Sequence, residues 1–237
     1  KFFDLAKEGK DFYMFAPHTV KQEYGVTLDD IDLEKYYDDM VANPNIDKKK
    51  KDAREMLNMI AQTQLQSGYP YLMFKDNANK VHANSNIGQI KMSNLCTEIF
   101  QLQETSVIND YGTEDEIKRD ISCNLGSLNI VNVMESGKFR DSVFTGMDAL
   151  TVVSDEANIQ NAPGVKKANN ELHSVGLGVM NLHGYLAKNK IGYESEEAKD
   201  FANIFFMMMN YYSIERSMEI AKERGEAYQD FDKSDYA

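Results

Sequence analysis

The stretch "ISCNLGSLNIV", residues 121 to 131, indicates the fold class because it has the composition of a β-strand. β-branched residues stand near both of its ends, and such residues favour the pleated, half-buried surface of a sheet. Gly126, in the middle, predicts a bend or a close approach of a neighbouring group. We therefore expect a strand here, and the flanking segments indicate what packs on it.

The clearest of these flanking segments is a helix between a cap at Ser195 and a stop at Gly225. Glu196 and Glu197 suit the positive N-terminal end of a helix dipole, and a serine oxygen can accept from unpaired backbone amides there. The apolar residues recur at helical spacing and predict one buried stripe: Phe201, Ile204, Phe205, Met208 and Tyr212. Similar spacing predicts helices near residues 27–40 and 145–159.

The segment over 47–67 also has helical periodicity, and it predicts a helix capped by Asp47. Four lysines, 48–51, would then form a solvated face in its first turn, and "SGYP" would end it. The next four residues, 71–74, predict a short buried strand. Residues 75–92 predict a long loop, and residues 101–120 predict an exposed polar segment. The stretch 173–189 fits either a strand running into a helix or one closely packed helix.

Charge and composition narrow the class of function. The chain has 237 residues, 42% of them hydrophobic, and a net charge of −12. That length can bury a sizeable core, and the acidic balance argues against binding to nucleic acid polymers or to anionic membranes. Two cysteines do not make a disulfide scaffold, so we expect a reducing cytoplasm. The opening residues show no signal peptide, and the missing initiator Met leads us to expect an internal fragment of a longer protein.

The two cysteines are the candidates for chemistry, and the first lies in "KMSNLCTEIF", residues 91 to 100. In an extended backbone Asn94, Cys96 and Glu98 would share one face, with Leu95 and Thr97 on the other. An amide, a thiol and a proton acceptor on one surface can perform redox or proton chemistry on a polar substrate. A free cysteine more often simply packs, and the sequence leaves that alternative open.

Three stretches in this order resemble the large (alpha) subunit of class I ribonucleotide reductase, most closely its class Ib bacterial branch: "SGYPYLMFKDNANKVHANSNIGQIKMSNLCTEI", "SCNLGSLNI" and "HSVGLGVMNLHGYLA". The resemblance implies an α/β fold that is part of a ten-stranded α/β barrel, helix-rich as a fragment. Residues 1–46 would be a peripheral helical entry segment. Residues 47–237 would belong to the barrel and carry its catalytic loop.

The resemblance also implies roles for individual residues. Cys96 would become a thiyl radical that takes hydrogen from the 3′ carbon of a ribonucleoside diphosphate, and Glu98 would accept the proton of the 3′-hydroxyl. Asn94 would hold the sugar, and residues 94–98 together (Asn94, Leu95, Cys96, Thr97 and Glu98) would bind the substrate. Cys123 would be one of two reducing thiols, whose partner lies outside this chain.

The resemblance further implies partners rather than a cofactor in this chain. The radical would come from a metal-containing small (beta) subunit, and a glutaredoxin- or thioredoxin-like protein would reopen the disulfide. Large subunits would form a homodimer, and nucleotide effectors (dNTP or ATP) would bind outside this chain. Because the diphosphate-binding segment and the relay tyrosines also lie outside it, we expect the chain alone to be inactive.

Two other functions fit the residues without the resemblance. A thiol hydrolase or transferase would need a histidine within hydrogen-bond reach of Cys96. A non-catalytic helical interaction module would have both cysteines packed among apolar side chains. The four histidines show no metal-ligand spacing, and we expect no metal site.

Overall fold

The computed structural model describes residues 1–109 and 111–237, and it divides into two compact units, Lys1–Phe74 and Lys75–Ala237. Within the described residues the strands form two sheets of two strands each, and the rest of the regular structure is helical. Among the same residues no helix is both long enough and apolar enough to cross a bilayer.

The first unit packs helices around a small antiparallel sheet. Its elements are α1 (Phe2–Glu8), β1 (Asp11–Phe15), α2 (Pro17–Tyr24), α3 (Leu33–Ala42), β2 (Lys48–Asp52) and α4 (Ala53–Ser67). β1 and β2 pair with Asp11 opposite Asp52 and Phe15 opposite Lys48. The buried core consists of Val20, Ile31, Met40 and Ile46.

The start of α4 corrects the sequence prediction. Asp52, not Asp47, caps the helix, because its carboxylate accepts a 2.8 Å hydrogen bond from the amide of Glu55. The lysines form β2 instead of a first helical turn, which removes four positive charges from the positive end of the dipole. They remain largely exposed, as expected. Gly68 ends the helix in the left-handed conformation, with φ +78°.

The prediction of a buried strand over 71–74 is wrong. These residues lie in no strand, and Tyr71, Leu72 and Phe74 are 47%, 45% and 56% exposed. A run of four apolar residues is too short to specify a strand by itself, because a strand also needs a partner backbone.

The second unit packs helices on a short parallel sheet. Its elements are α5 (Lys75–Lys80), β3 (Leu125–Asn129), α6 (Ile130–Ser136), α7 (Phe139–Glu156), α8 (Pro163–Leu172), β4 (Gly176–Met180), α9 (Leu182–Lys188), α10 (Glu196–Arg224) and a 3₁₀ turn (Phe231–Lys233). β3 and β4 are parallel, with Leu125 opposite Gly176 and Asn129 opposite Met180. The core consists of Ile130, Val143, Met147, Phe205 and Met209.

The sequence predicted β3, α7 and α10 of this unit but not α5, α6 or α8. The strand predicted within 121–131 is β3, which covers Leu125–Asn129, and a Cβ at Gly126 would make an ordinary contact with the Leu150 side chain at 3.4 Å. The stretch 173–189 is a strand running into a helix, β4 and α9. α10 has both predicted ends, with the Ser195 hydroxyl accepting from the amide of Ala198. Its stripe is displaced, because Ile204 is 55% exposed and Met209 is buried instead.

The stretches 75–92 and 101–120 of the second unit were predicted less well. Helix α5 occupies the start of the supposed loop 75–92. Within 101–120, Leu102, Gln103 and Arg119 are buried, so the prediction that this segment is exposed is wrong for them. Asp110, in the same segment, lies outside the described residues. Buried polar residues and a single buried Leu leave no hydrophobic periodicity, which is why the sequence pattern misses them.

Candidate active site

The loop that carries Cys96 is a tight turn rather than an extended segment. The amide of Thr97 donates to the carbonyl of Asn94 at 3.0 Å, and Thr97 has a φ of +63°. The expected alternation of Asn94, Cys96 and Glu98 along a straight backbone is therefore wrong. It fails because the local hydrogen bonds of Asn94 compete with the extended conformation.

Asn94 closes this turn from within. Its side-chain oxygen accepts from the amides of Glu98 at 3.2 Å and Ile99 at 3.1 Å, and the Ser93 hydroxyl donates to the carbonyl of Ile99 at 2.6 Å. Asparagine stabilises turns in this way because its short amide reaches the backbone a few residues on. The Asn94 oxygen is thus committed to the loop, and the Nδ2 group is the part that can contact a ligand.

The turn presents polar and reactive groups outward. Cys96 and Glu98 are exposed, Leu95 is 82% exposed, and Thr97 is half-buried. Ile99 is buried at 6% exposure and anchors the loop. The thiol therefore lies at the tip of a closed turn, where a substrate or a partner can reach it.

Two side-chain amides hold the chain that leads into this turn. Asn79 accepts from the amide of Ile90 and donates to its carbonyl, both at 2.9 Å. Gln103 binds Met92 in the same two-way manner, at 2.8 and 2.7 Å. Each amide takes the place of a neighbouring strand, because it offers a donor and an acceptor side by side.

The segment after the turn returns to Cys123 as an irregular hairpin, the 101–122 hairpin, of which the structure describes residues 101–109 and 111–122. Val107 and Glu116 exchange backbone hydrogen bonds at 3.0 and 2.9 Å. The amide of Glu104 donates to the carbonyl of Arg119 at 2.9 Å. The hairpin therefore places the arm that follows Cys96 beside the arm that precedes Cys123.

An ion pair strengthens this hairpin and connects it to α8. The Nε of Arg119 lies 2.8 Å from a carboxylate oxygen of Glu104 and 3.6 Å from one of Glu171, on α8. Arg119 is only 8% exposed, so water screens these contacts less than it screens a surface pair.

A buried asparagine fixes the second arm next to Cys123. Asn169 is 3% exposed; its oxygen accepts from the hydroxyls of Ser122 at 3.2 Å and Ser154 at 2.9 Å, and its amide donates to the Ser154 carbonyl at 2.8 Å. Cys123 follows Ser122 directly and is exposed. Asn124 then donates to the carbonyl of Leu150 at 2.7 Å, which leads the chain into β3.

A cleft of about 400 Å³ lies beside these arms. Glu98 lines it, together with residues 99–101 and 122 and with Asn124, whereas Asn94, Cys96 and Cys123 are not in its lining. Tyr228 and Asn84 form part of the wall and are joined by a 2.8 Å hydrogen bond. These two residues are far apart in the sequence, and no pattern in it could have paired them.

Histidines do not complete a catalytic pair with Cys96 in the described part of the chain. No hydrogen bond there joins a histidine to this thiol, and no cluster of three or more metal-ligating side chains occurs there either. His82 accepts through Nδ1 from the amide of Asn84 at 2.8 Å, and burial lowers its pKa. The hydrolase alternative thus lacks its imidazole. The exposure of both cysteines also disagrees with cysteines that only pack.

Known proteins match the chain along its whole length. Residues 1–237 match the family described as "Ribonucleotide reductase, barrel domain". The chain is 54% identical over 237 residues to the ribonucleoside-diphosphate reductase subunit alpha of Bacillus subtilis (strain 168), covering 100% of this chain and 34% of that protein. It is 42% identical over 236 residues to the same subunit of Mycoplasma pneumoniae, covering 99% of this chain and 32% of that protein.

A solved structure has the same fold. The Actinobacillus ureae class Id ribonucleotide reductase alpha subunit superposes with a TM-score of 0.64 at 24% identity, over 81% of this chain and 35% of that one. The chain spans about a third of the length of the curated relatives it matches. The predicted α/β, helix-rich barrel segment is confirmed, and the chain belongs to the ribonucleotide reductase barrel-domain family.

Proposed function

We propose that this chain supplies the catalytic loop of a ribonucleotide reductase alpha subunit, which converts ribonucleoside diphosphates into deoxyribonucleoside diphosphates for DNA synthesis. Family membership and the names of the relatives support the reaction. One structural observation carries the assignment to this loop. The turn exposes Cys96, and the 101–122 hairpin pairs the arm that follows it with the arm that leads to a second exposed thiol, Cys123.

The chemistry follows from two thiols and one carboxylate. Cys96, as a thiyl radical, takes the hydrogen atom from the 3′ carbon of the ribose, and Glu98 accepts the proton of the 3′-hydroxyl. The 2′-hydroxyl takes a proton from one of the two reducing thiols and leaves as water, the 2′ carbon takes a hydrogen atom from the other thiol, and Glu98 returns its proton to the 3′ oxygen. Cys123 and a second thiol outside this chain supply two electrons as they form a disulfide. Cys96 then returns its hydrogen atom to the 3′ carbon and becomes a thiyl radical again.

The neighbours of Cys96 bind the substrate in this proposal. Asn94 uses its oxygen to hold the turn, so its Nδ2 group is the donor for a sugar hydroxyl. Glu98 is exposed and lines the cleft, which suits a group that accepts a proton from the substrate. Leu95 and Thr97 flank the thiol and complete the substrate-binding turn.

Partners supply what the chain itself does not. A metal-containing small (beta) subunit generates the radical, and a glutaredoxin- or thioredoxin-like protein reduces the disulfide. The large subunit works in the cytoplasm as a homodimer whose nucleotide effectors bind outside this chain. Residues 1–46 form its peripheral entry segment and residues 47–237 its barrel segment in the same proposal.

The test is Cys96→Ser in the complete alpha subunit, assayed with its small subunit for deoxyribonucleotide formation. Turnover should fall to background, because a serine hydroxyl cannot form the thiyl radical that takes the hydrogen atom from the 3′ carbon. Thr105→Ser, an equally small change at an exposed position of the hairpin, should keep normal turnover. Turnover by Cys96→Ser near that of the unsubstituted enzyme would exclude the proposal.

A further inference from the structure

The position of the hairpin nearest to the two cysteines is held by one side chain, that of Gln101. In the 101–122 hairpin three positions share one antiparallel register: Val107 with Glu116, Glu104 with Arg119, and Gln101 with Ser122. At the first two the backbones bond directly. At the third the Gln101 side chain replaces the backbone, donating to the Ser122 carbonyl at 2.7 Å and accepting from its amide at 3.0 Å.

The position of this contact gives it a specific consequence. Gln101 follows the Cys96 turn and its buried anchor, Ile99, while Ser122 immediately precedes Cys123. Asn169 holds the Ser122 hydroxyl from the opposite side. Two side chains therefore hydrogen-bond Ser122, and of these Gln101 is the one that belongs to the arm following Cys96.

We propose that Gln101 is a positioning residue that sets the reducing thiol of Cys123 against the Cys96 turn. This inference rests on the proposed function. Its physical basis is that glutamine carries a coplanar donor and acceptor, so it fixes both the distance and the orientation of the peptide it binds. A hydrophobic side chain of similar size would fill the space without fixing either.

The decisive variant is Gln101→Glu, because it keeps the shape and changes only the donor. An ionised carboxylate accepts from the Ser122 amide but repels the Ser122 carbonyl, whereas a protonated one donates to it. Turnover should therefore fall about tenfold near pH 8, the cost of one mispaired polar contact. Half-burial and the facing Ser122 carbonyl oxygen should raise the pKa of the introduced carboxyl, so the ratio of variant to unsubstituted turnover should rise as the pH is lowered toward that pKa.

Two further variants separate positioning from packing. Gln101→Met keeps the volume and should lose turnover without recovery at low pH. Gln64→Glu is the matched control, since Gln64 is similarly half-buried and donates one 2.7 Å bond to the Pro70 carbonyl in the first unit. The ratio of Gln64→Glu turnover to unsubstituted turnover should not change with pH.

Hydrogen exchange gives a readout that does not depend on turnover. In the unsubstituted alpha subunit the Ser122 amide should exchange slowly, and in Gln101→Met it should exchange at least tenfold faster. Normal turnover by Gln101→Met, or a Ser122 amide that exchanges as fast as an open loop in the unsubstituted alpha subunit, would overturn the inference. If the unsubstituted enzyme itself reduces no ribonucleotide, the proposed function fails, and the exchange rates alone decide whether Gln101 holds Ser122.

Discussion

Two parts of the second unit are built on different physical principles. The sheet and its helices, β3, β4, α7 and α10, bury a continuous apolar core around Val143 and Phe205. The other part is residues 81–124, called here the polar segment. Its described residues contain no helix and no strand, and their one β-bridge joins Val107 and Glu116. Polar side chains bound to backbone groups hold much of it, together with a few buried apolar anchors such as Ile99 and Leu102.

The two kinds of interaction suit two different tasks, support of the site and positioning of the loop. Apolar burial is strong and insensitive to direction, so it suits elements that support a site. Side-chain hydrogen bonds are individually weak but directional, so they suit a loop that must present a thiol at one place. We therefore expect substitutions in the core to change stability and substitutions in the polar segment to change turnover.

The largest effect on stability should come from Phe205→Ala. Phe205 is 3% exposed and contacts the rings of Phe139 and Phe201, so truncation leaves a cavity and should lower the free energy of unfolding by about 3–5 kcal/mol. Urea unfolding followed by circular dichroism measures the loss. Phe206→Ala, at the next and 44% exposed position, is the control and should cost well under half as much. Equal costs would mean that this helix face is not the core.

A smaller effect on stability, but a clear one on the loop, should come from Asn94→Ala. It removes the acceptor of two backbone amides, so the amides of Glu98 and Ile99 should exchange with solvent about tenfold faster or more. Asn94→Asp is the matched variant, because its carboxylate keeps both acceptor contacts and loses only the Nδ2 donor.

Comparing the two Asn94 variants separates the two roles of this residue. If Asn94 binds the sugar as proposed, both variants should lose turnover because both lack the proposed Nδ2 donor, while only Asn94→Ala should open the turn. Fast exchange in both variants would show that the amide hydrogens, rather than the oxygen, hold the turn.

The same division explains what the sequence could predict. Periodic apolar residues and capping signals predicted the course of α10 and the β3 strand, because these signals are local, whereas the sequence left open whether 173–189 is β4 running into α9 or one helix. The motif around Cys96 identified the family. The turn at Cys96 could not be found by alternation, since the bonds of Asn94 to residues four and five positions on override it. Contacts such as Gln101 with Ser122 join distant residues and leave no periodic trace.

The smallest expected effect on stability comes from the N-cap of α4, where the sequence offers two aspartates as candidates. Asp47 and Asp52 both precede the helical periodicity of α4, and only Asp52 accepts from the free amide of Glu55. Asp52→Ala should therefore lower the free energy of unfolding by about 1 kcal/mol, the usual value of an N-cap. Asp47→Ala should cost less, because the aspartate side chain at that position caps no helix. Urea unfolding of both variants measures the two losses in free energy of unfolding. A larger loss for Asp47→Ala would mean that the helix starts before the four lysines. The lysines could then not form β2 or pair with β1.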